Sequence, residues 1–266
     1  MDIPHERWYE AIRCRRSRRR YLRRTIPPDL LQRLKALCED FRPFDGARAE
    51  LVESIPDDVL KGIVGNYGKI KGARAFVAFV GDMNNPHVQE RVGYTGEGIV
   101  LEATSLGLGT CWVGGFYRPE VAASYAASAA HEKVLAVTPL GYTSEAWSFE
   151  EKAMSGFGAS HRRKNITELT SGTDQKEWPR WVTEALEAAR QAPSAVNRQP
   201  WRFRVGPGSI TVSVDNLNDS YRISKRLDCG IAMLHIEIAS RRSGVTGAWE
   251  FLDPPDVARW RIPDEK

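Results

Sequence analysis

Residues 191–205 read "QAPSAVNRQPWRFRV", and this stretch decides how the chain is assembled. The segment "WPRWVTEALEAARQAP", from 178, has a helical pattern over about 178–192, stopped by Pro193. A short polar loop follows, and then an aromatic strand that turns back at Gly206–Gly208 as a hairpin. Ser194, Asn197 and Gln199 can present hydroxyl and amide groups beside free backbone N–H groups, and Pro200 with Trp201 forms a rigid apolar wall. Such a loop can read the edge of a planar heterocycle. It can equally be a polar helix-to-strand connection with no ligand.

The second unusual stretch lies far upstream. Residues 13–24, "RCRRSRRRYLRR", contain eight arginines and no acid. The whole chain carries +4, so without these eight the remainder stands at +4 − 8 = −4, and the basicity is local. The run fits a basic arm for nucleic acid, a solvated face or a site for one anion. No nucleic-acid motif or aromatic stacking pattern accompanies it, which argues against the first.

Between these stretches the sequence reads as alternating helices and buried strands. Trp8, Ala11 and Ile12 recur at helical spacing and lead into the arginine run. "IPPDLLQRLKALCEDF" from 26 predicts a second helix with Leu30, Leu31, Leu34 and Leu37 as its apolar stripe. "ARAFVAFVG" (73–81) and "KVLAVTPLGY" (133–142) read as buried strands, and "GEGIVLEATSLGLG" (96–109) as a helix ending in a glycine turn. "SGFGASHRRKNITELTSGTDQKEW" (155–178) reads as an extended tail or linker. Past the hairpin, "DCGIAMLHIEIASRRSGVTGAWEF" (228–251) reads as a helix, a glycine turn and the start of a strand. A shift of 137 residues lays Gly93 on Gly230, Ile99 on Ile236, Leu101 on Ile238, Gly107 on Gly244 and Trp112 on Trp249. This fits an internal repeat, against the plainer reading of two unrelated glycine-capped helices.

Composition excludes several classes. Cys14, Cys38, Cys111 and Cys229 lie far apart in no metal or disulfide spacing and read as reduced, buried thiols. His87, His131, His161 and His235 show no ligand spacing either, so no metal is expected. Tyr94, Phe116 and Tyr117 read as packing rather than as a substrate wall. The polar, acidic N-terminus is no signal peptide, and no apolar run approaches membrane-spanning length, which predicts a cytoplasmic protein without membrane contact.

"APSAVNRQPW" resembles the APSxxNxQPW signature of the nitroreductase-like, FMN-dependent oxidoreductases. Four further segments are similar to that family's motifs: "RRSRR" (15–19), "NYGKIKGARAFVAF" (66–79), "EATSLGLGTCWVGGF" (102–116), and "LGYTSE" with the later "HRRK" (161–164). The order departs from the family, whose APSxxN loop follows soon after RRSxR. Here "CEDFRPFDGARAEL" stands at that place, and the loop occurs only in the second half.

Family members are homodimers with FMN at the subunit interface. The resemblance therefore implies an α+β fold of two nitroreductase-like repeats, with mainly antiparallel sheets flanked by helices, forming an internal pseudo-dimer. The first half would span 1–172 and the second, shorter half 173–266. It further implies a monomer with one FMN site per chain. Arg15, Arg16, Ser17 and Arg19 would hold the phosphate, Arg163 closing the cluster with Arg162 or Lys164 as a further partner. Asn66 and Lys69 would meet the ribityl chain and the pyrimidine edge, and the glycine turn at Gly114 and Gly115 would approach the ring. Pro193, Ser194, Ala195 and Asn197 would complete the site from the other half. The implied activity is hydride transfer from NAD(P)H through flavin N5 to a nitro, quinone or similar small-molecule acceptor, with no obligatory side-chain acid or base. A flavin-sequestering protein without turnover is the alternative, because fusion has already removed one site.

Overall fold

The computed structural model describes residues 2–54, 59–60, 70–115, 117–126, 129–144 and 162–263. Among them the chain is α+β with two sheets, one antiparallel and one mixed. The first sheet has the order β1-β2-β3, from β1 (Ala47–Val52), β2 (Ala75–Asp82) and β3 (Glu132–Leu140), antiparallel throughout. Residues 109–113 continue it on the far side of β3 through antiparallel bridges Gly109–Gly141 and Val113–Val137. The second sheet has the order β4-β5-β6-β8-β7, from β4 (Thr170–Gly172), β5 (Trp201–Gly206), β6 (Ser209–Val214), β7 (Ala248–Phe251) and β8 (Asp256–Arg261). Without β4 the two sheets share one plan: two hairpin-paired strands, a third, and last the segment that follows a glycine-ended helix. β4 comes from the tail expected to be extended, and it pairs parallel with β5.

Two central helices, α3 (Val88–Ser105) and the last helix of the chain (Lys225–Arg242), lie against one another between the sheets. Around them pack α1 (His5–Cys14) and α2 (Pro28–Asp40); α4 (Pro119–Tyr125) packs on β3 in a separate small core, α5 (Ile166–Leu169) lies against β4 and β5, and α6 (Arg180–Arg190) packs on the last helix, which is α7. Nearly every side chain of α7 from Leu227 to Ser240 is buried, which explains why it shows almost no amphipathic contrast. Both central helices are 18 residues long and start 137 residues apart (225 − 88). Both end in the same cap. Gly107 and Gly244 adopt φ of 78° and 77°, and the next residues, Leu108 and Val245, donate back to Ala103 and Ser240.

The crossing of these helices is the tightest contact between the halves. A Cβ on Gly93 would collide with the carbonyl oxygen of Leu227, three residues before Gly230, and a Cβ on Gly230 would collide with that of Glu90, three residues before Gly93. The two contacts are reciprocal, as a two-fold relation between the helices requires. They also explain why α3 begins at Val88 rather than at 96. Gly93, Gly96 and Gly98 weaken the helical signal, but each faces a packed neighbour: α7, the Phe79 and Trp112 rings, and Phe41.

Polar anchors fix the surrounding helices. The buried Glu102 carboxylate accepts from Trp8 Nε1 at 2.8 Å, Arg7 Nη2 at 2.7 Å and Arg33 Nη2 at 2.8 Å, tying α1 and α2 to α3. Burial pushes this carboxyl's pKa up, but the Trp8 and Arg7 hydrogen bonds with the nearby Arg charges outweigh it, and the net shift is downward.

Gly93→Ala and Gly230→Ala should each destabilise the fold by about 3 kcal/mol, the upper end of overpacking, because backbone rather than a mobile side chain must yield. Gly107→Ala meets no neighbour and should cost only the left-handed strain, about 1–2 kcal/mol. Denaturant midpoints test this ranking, and a Gly93→Ala protein as stable as Gly107→Ala would contradict the crossing.

Candidate functional site

The arginine run leaves α1 at Cys14 and becomes extended. It crosses the end of the first sheet by parallel bridges Ser17–Thr110 and Arg20–Lys71, and Leu22 N donates to Tyr142 O at 2.8 Å. This places the run beside the strip 109–115 that carries the glycine turn. The run's side chains then separate. Arg18 turns inward and donates to Thr143 Oγ1 and Ser144 O. Arg24 stacks on the Tyr142 ring, 3.9 Å from its centroid, and Arg23 is exposed. Arg16 is exposed and donates to the Arg13 and Arg15 carbonyls, Ser17 is half-buried through its bridge, and the carbonyl of half-buried Arg19 accepts from Lys71 N.

Arg15 differs from all of these. It is 7% exposed, and its Nε and Nη1 meet no acceptor among the described residues. A buried guanidinium without a hydrogen-bonded acid is costly unless something else supplies the acceptor. Burial lowers its pKa, partly offset by the charge of Glu97. Arg163, half-buried, has its pKa pushed down to about 10, first by desolvation and then by the positive charges of Arg15, Arg190 and Arg16. Cations from both ends of the first 172 residues thus converge on one place.

The signature loop meets Arg163 directly. Arg163 donates to Asn197 Oδ1 at 2.7 Å and to Gln191 O at 2.9 Å. Lys164 takes no place among these arginines: its Nζ donates to the carbonyls of Arg198 and Gln199, and its N–H to Gln199 Oε1. Asn197 Nδ2 and Gln199 Nε2 both donate to Arg162 O. The loop is strained, with φ of 49° at Val196, 55° at Asn197 and 49° at Gln199. A left-handed valine is rare and persists only where its surroundings over-determine it. The constraint comes from Ser194, whose Oγ accepts from Gln199 N, and from Ala195 N, which donates to Asp228 Oδ1 at 3.1 Å, with Pro193 buried before them.

The glycine turn has a neighbour that the sequence did not announce. A Cβ on Gly115 would lie 2.7 Å from Tyr221 O, and one on Gly114 would lie 3.1 Å from Ile223 Cδ1. Arg198 holds this second-half turn in place. It pairs with Asp228 at 2.7 Å and donates to Ser220 O, Ser220 Oγ and Ile223 O. Arg198 stands at an unspecified position of the signature, and Asp228 only precedes a glycine helix, so neither carried a signal by itself. Asn66, Lys69, Phe116 and His161 lie outside the described residues. Tyr94 and Tyr117 are packing residues whose hydroxyls donate to Glu237 Oε2 and Val134 O. No group of His, Cys, Asp and Glu suited to a metal ion occurs among the described residues. No described helix is long and apolar enough to cross a membrane.

The family model described as "Putative TM nitroreductase" matches residues 7–240. The chain belongs to this nitroreductase family. A solved structure of a "putative nitroreductase" from Thermotoga maritima is similar to this family member over 98% of this chain and 96% of its own, with 21% identity and a TM-score of 0.66. A nitroreductase family protein from Clostridium difficile matches 61% of the chain with 17% identity, 96% of its own length and a TM-score of 0.45. A nitroreductase with bound FMN from Bacteroides fragilis matches 53% of the chain with 21% identity, 91% of its own length and a TM-score of 0.42. No curated protein matches the chain.

The Arg198–Asp228 pair gives the site a pH response. Burial pushes the Asp228 carboxyl up to about 6, against the pull of Arg198 and of the Ala195 N–H. A value above the ordinary 3.8 means the native state takes this proton more tightly than the unfolded chain. As pH falls from 7 toward 4, Asp228 alone therefore adds global stability, while locally the Arg198 pair loses its charge. Amides 195–199 and 220–223 should exchange hydrogen faster at pH 5.5 than at 7.5, after correction for intrinsic rates, and Asp228→Asn should abolish the difference. Equal protection of the native protein at both pH values would refute the response.

Proposed function

We propose that this nitroreductase-family chain is a fused pseudo-dimer that binds one FMN where its halves meet and acts as an NAD(P)H oxidoreductase. The observation that carries the reading is the buried guanidinium of Arg15, its Nε and Nη1 without acceptors among the described residues. A phosphate supplies what Arg15 lacks, namely acceptor oxygens and close to two negative charges, held best by planar guanidinium forks. Arg163 and Arg16 add to the same field. Ser17 and Arg19 stand on the strip beside it, and the loop Pro193–Asn197 arrives from the other half on the Arg163–Asn197 hydrogen bond.

When bound, FMN would supply the hydride chemistry, from NAD(P)H through N5 to a nitro, quinone or similar small acceptor. The chain's own part is to bind and orient. Arg15, Arg16 and Arg163 neutralise the phosphate, Asn197 is aimed by Arg163, and Lys69 with Asn66 would face the ring's polar edge. The turn at Gly114 and Gly115 offers backbone without side chains.

A single site per chain is supported by the position that the 137-residue shift pairs with Gly114, which is Phe251. Its ring packs edge-on against Phe44, centroids 5.0 Å apart, and Phe44 packs on Tyr94 at 4.9 Å. The Arg91 guanidinium covers Phe251 at 4.6 Å. Phe44 lies in the segment that stands where the first half lacks the signature loop, so aromatic rings occupy the second interface position.

Flavin titration of the purified chain should reach one FMN per chain, with NAD(P)H bleaching the bound flavin anaerobically. Replacing Arg15 and Arg19 by alanine should weaken FMN binding about 10- to 100-fold, as loss of charge-assisted hydrogen bonds does. Replacing Arg23 and Arg24 should change it less than about twofold, as for solvated surface charges. Equal effects from the two pairs would remove the phosphate assignment. Bound flavin that NAD(P)H cannot reduce would leave a flavin-sequestering role instead.

A further inference from the structure

We propose that the turn at residues 220–223 is the acceptor-facing wall of the flavin site, and that Tyr221 and Arg222 select planar acceptors bearing a negative charge. The inference rests on the FMN reading above and goes beyond it by naming the acceptor class. Its starting point is the contact between this second-half turn and the first-half glycine turn. The Tyr221 carbonyl and the Ile223 side chain lie so close to Gly115 and Gly114 that a side chain at either position would crowd them. The two turns therefore border one another, and on this proposal an acceptor stacked beside the glycine turn also meets residues 220–223.

The turn is built rigidly and at a cost. Ile223 N donates to Ser220 O at 3.1 Å, closing it, and Arg198 from the signature loop grips both of its ends. Lys225 N donates to Asp219 Oδ1 at 2.8 Å just outside it. Tyr221 and Arg222 nevertheless adopt φ of 61° and 58°, two consecutive non-glycine residues in the left-handed region. Glycine or asparagine would relieve strain of about 1 kcal/mol or more per residue. The side chains at these positions do nothing for the fold in return. Both are exposed, Tyr221 at 52%, and neither takes a hydrogen bond, ion pair or ring contact among the described residues.

The chemistry of the pair defines the ligand. A phenol offers a face for a planar ring. A guanidinium offers a fork that matches a carboxylate with two parallel hydrogen bonds. The neighbouring cations are already engaged: Arg198 with Asp228, and Lys225 with Asp215 at 2.8 Å. Among the described cations next to this turn, Arg222 is left to meet an incoming anion, and an aromatic carboxylate would use both side chains at once.

The test uses the FMN-loaded full chain and its Arg222→Ala variant. Benzoate and methyl benzoate are titrated against the absorbance of the oxidised bound flavin, which needs no turnover. 4-Nitrobenzoate and its methyl ester are then compared as acceptors. Arg222→Ala should raise the benzoate dissociation constant about tenfold and lower the ratio of kcat/KM for 4-nitrobenzoate over its ester by a similar factor, as loss of one charge-assisted fork does. FMN affinity serves as the control that the site is intact. An unchanged ratio and benzoate affinity would overturn the proposal, as would native protein that binds FMN but does not prefer benzoate to its ester. A variant that alters only the KM for NADPH relative to NADH would place Arg222 on the electron donor and overturn it too. A native chain that takes up no FMN at all would instead refute the FMN reading beneath it.

Discussion

Backbone meets backbone where α3 crosses α7. Gly93 sits on the carbonyl of Leu227 and Gly230 on that of Glu90, and no side chain larger than hydrogen fits at either point. Everything that makes the site depends on this approach, because its parts come from opposite ends of the chain. The arginine run follows α1, which packs on both central helices, and the signature loop follows α6, which packs on α7. Buried polar contacts lock the crossing in register. Arg226 of α7 donates to Glu90 of α3, and His235 of α7 bridges Glu97 Oε1 and Ala188 O at 3.0 and 2.9 Å. These pairs would be expensive to break, since each would strand a buried charge or polar group. They favour one alignment of the helices over its neighbours.

That alignment concentrates positive charge where the fold alone would not. Three buried acids are each matched by arginine: Glu102 has Arg7 and Arg33, Glu90 has Arg226, and Asp228 has Arg198. At Arg15 and Arg163 the matching stops. Among the described residues Arg163 meets neutral oxygens, and Arg15 has no hydrogen-bonded acceptor on Nε or Nη1. A buried guanidinium without an acceptor, beside a second, half-buried one, destabilises the chain by itself and would be relieved by an anion. On the reading proposed above, these arginines are half of a complex rather than part of the fold.

Much of this was legible in the sequence, and the gaps have physical causes. The hairpin at Gly206–Gly208, the strands through 75–82 and 132–140 and the paired glycine turns at Gly107 and Gly244 follow from periodicity and turn chemistry. The first turns of α3 were hidden because Gly93, Gly96 and Gly98 resemble breakers, and only the partner surfaces explain them. β1 was hidden because its inward positions include two alanines, Ala47 and Ala49, while Arg48 and Glu50 alternate with them. In the site, arginine-rich and signature segments could be named in advance, but not which arginine is buried. Arg15 and Arg18 face inward while Arg16 and Arg23 do not, and that choice is set by bridges from Ser17 to Thr110 and from Arg20 to Lys71. The Arg198 anchor and the 220–223 turn depend on contacts across the two halves that no local pattern carries.

The fusion proposed above would also explain why the two interface positions could diverge. In a homodimer each substitution appears twice, so a residue that improves one site must serve the other. In one chain Gly114 and its counterpart Phe251 are free to differ, and so are the loop at 193–199 and the segment holding Phe44. A position that no longer receives a ligand is a cavity, and an apolar cavity costs stability in proportion to its volume. The Phe44, Tyr94 and Phe251 rings remove that cost on one side. On the other side stand the glycine turn, the strained loop and Arg15. The asymmetry is thus energetically coherent: one interface is packed as core, and on the reading proposed above the other retains unfavourable features that a bound anion and a planar ring would relieve.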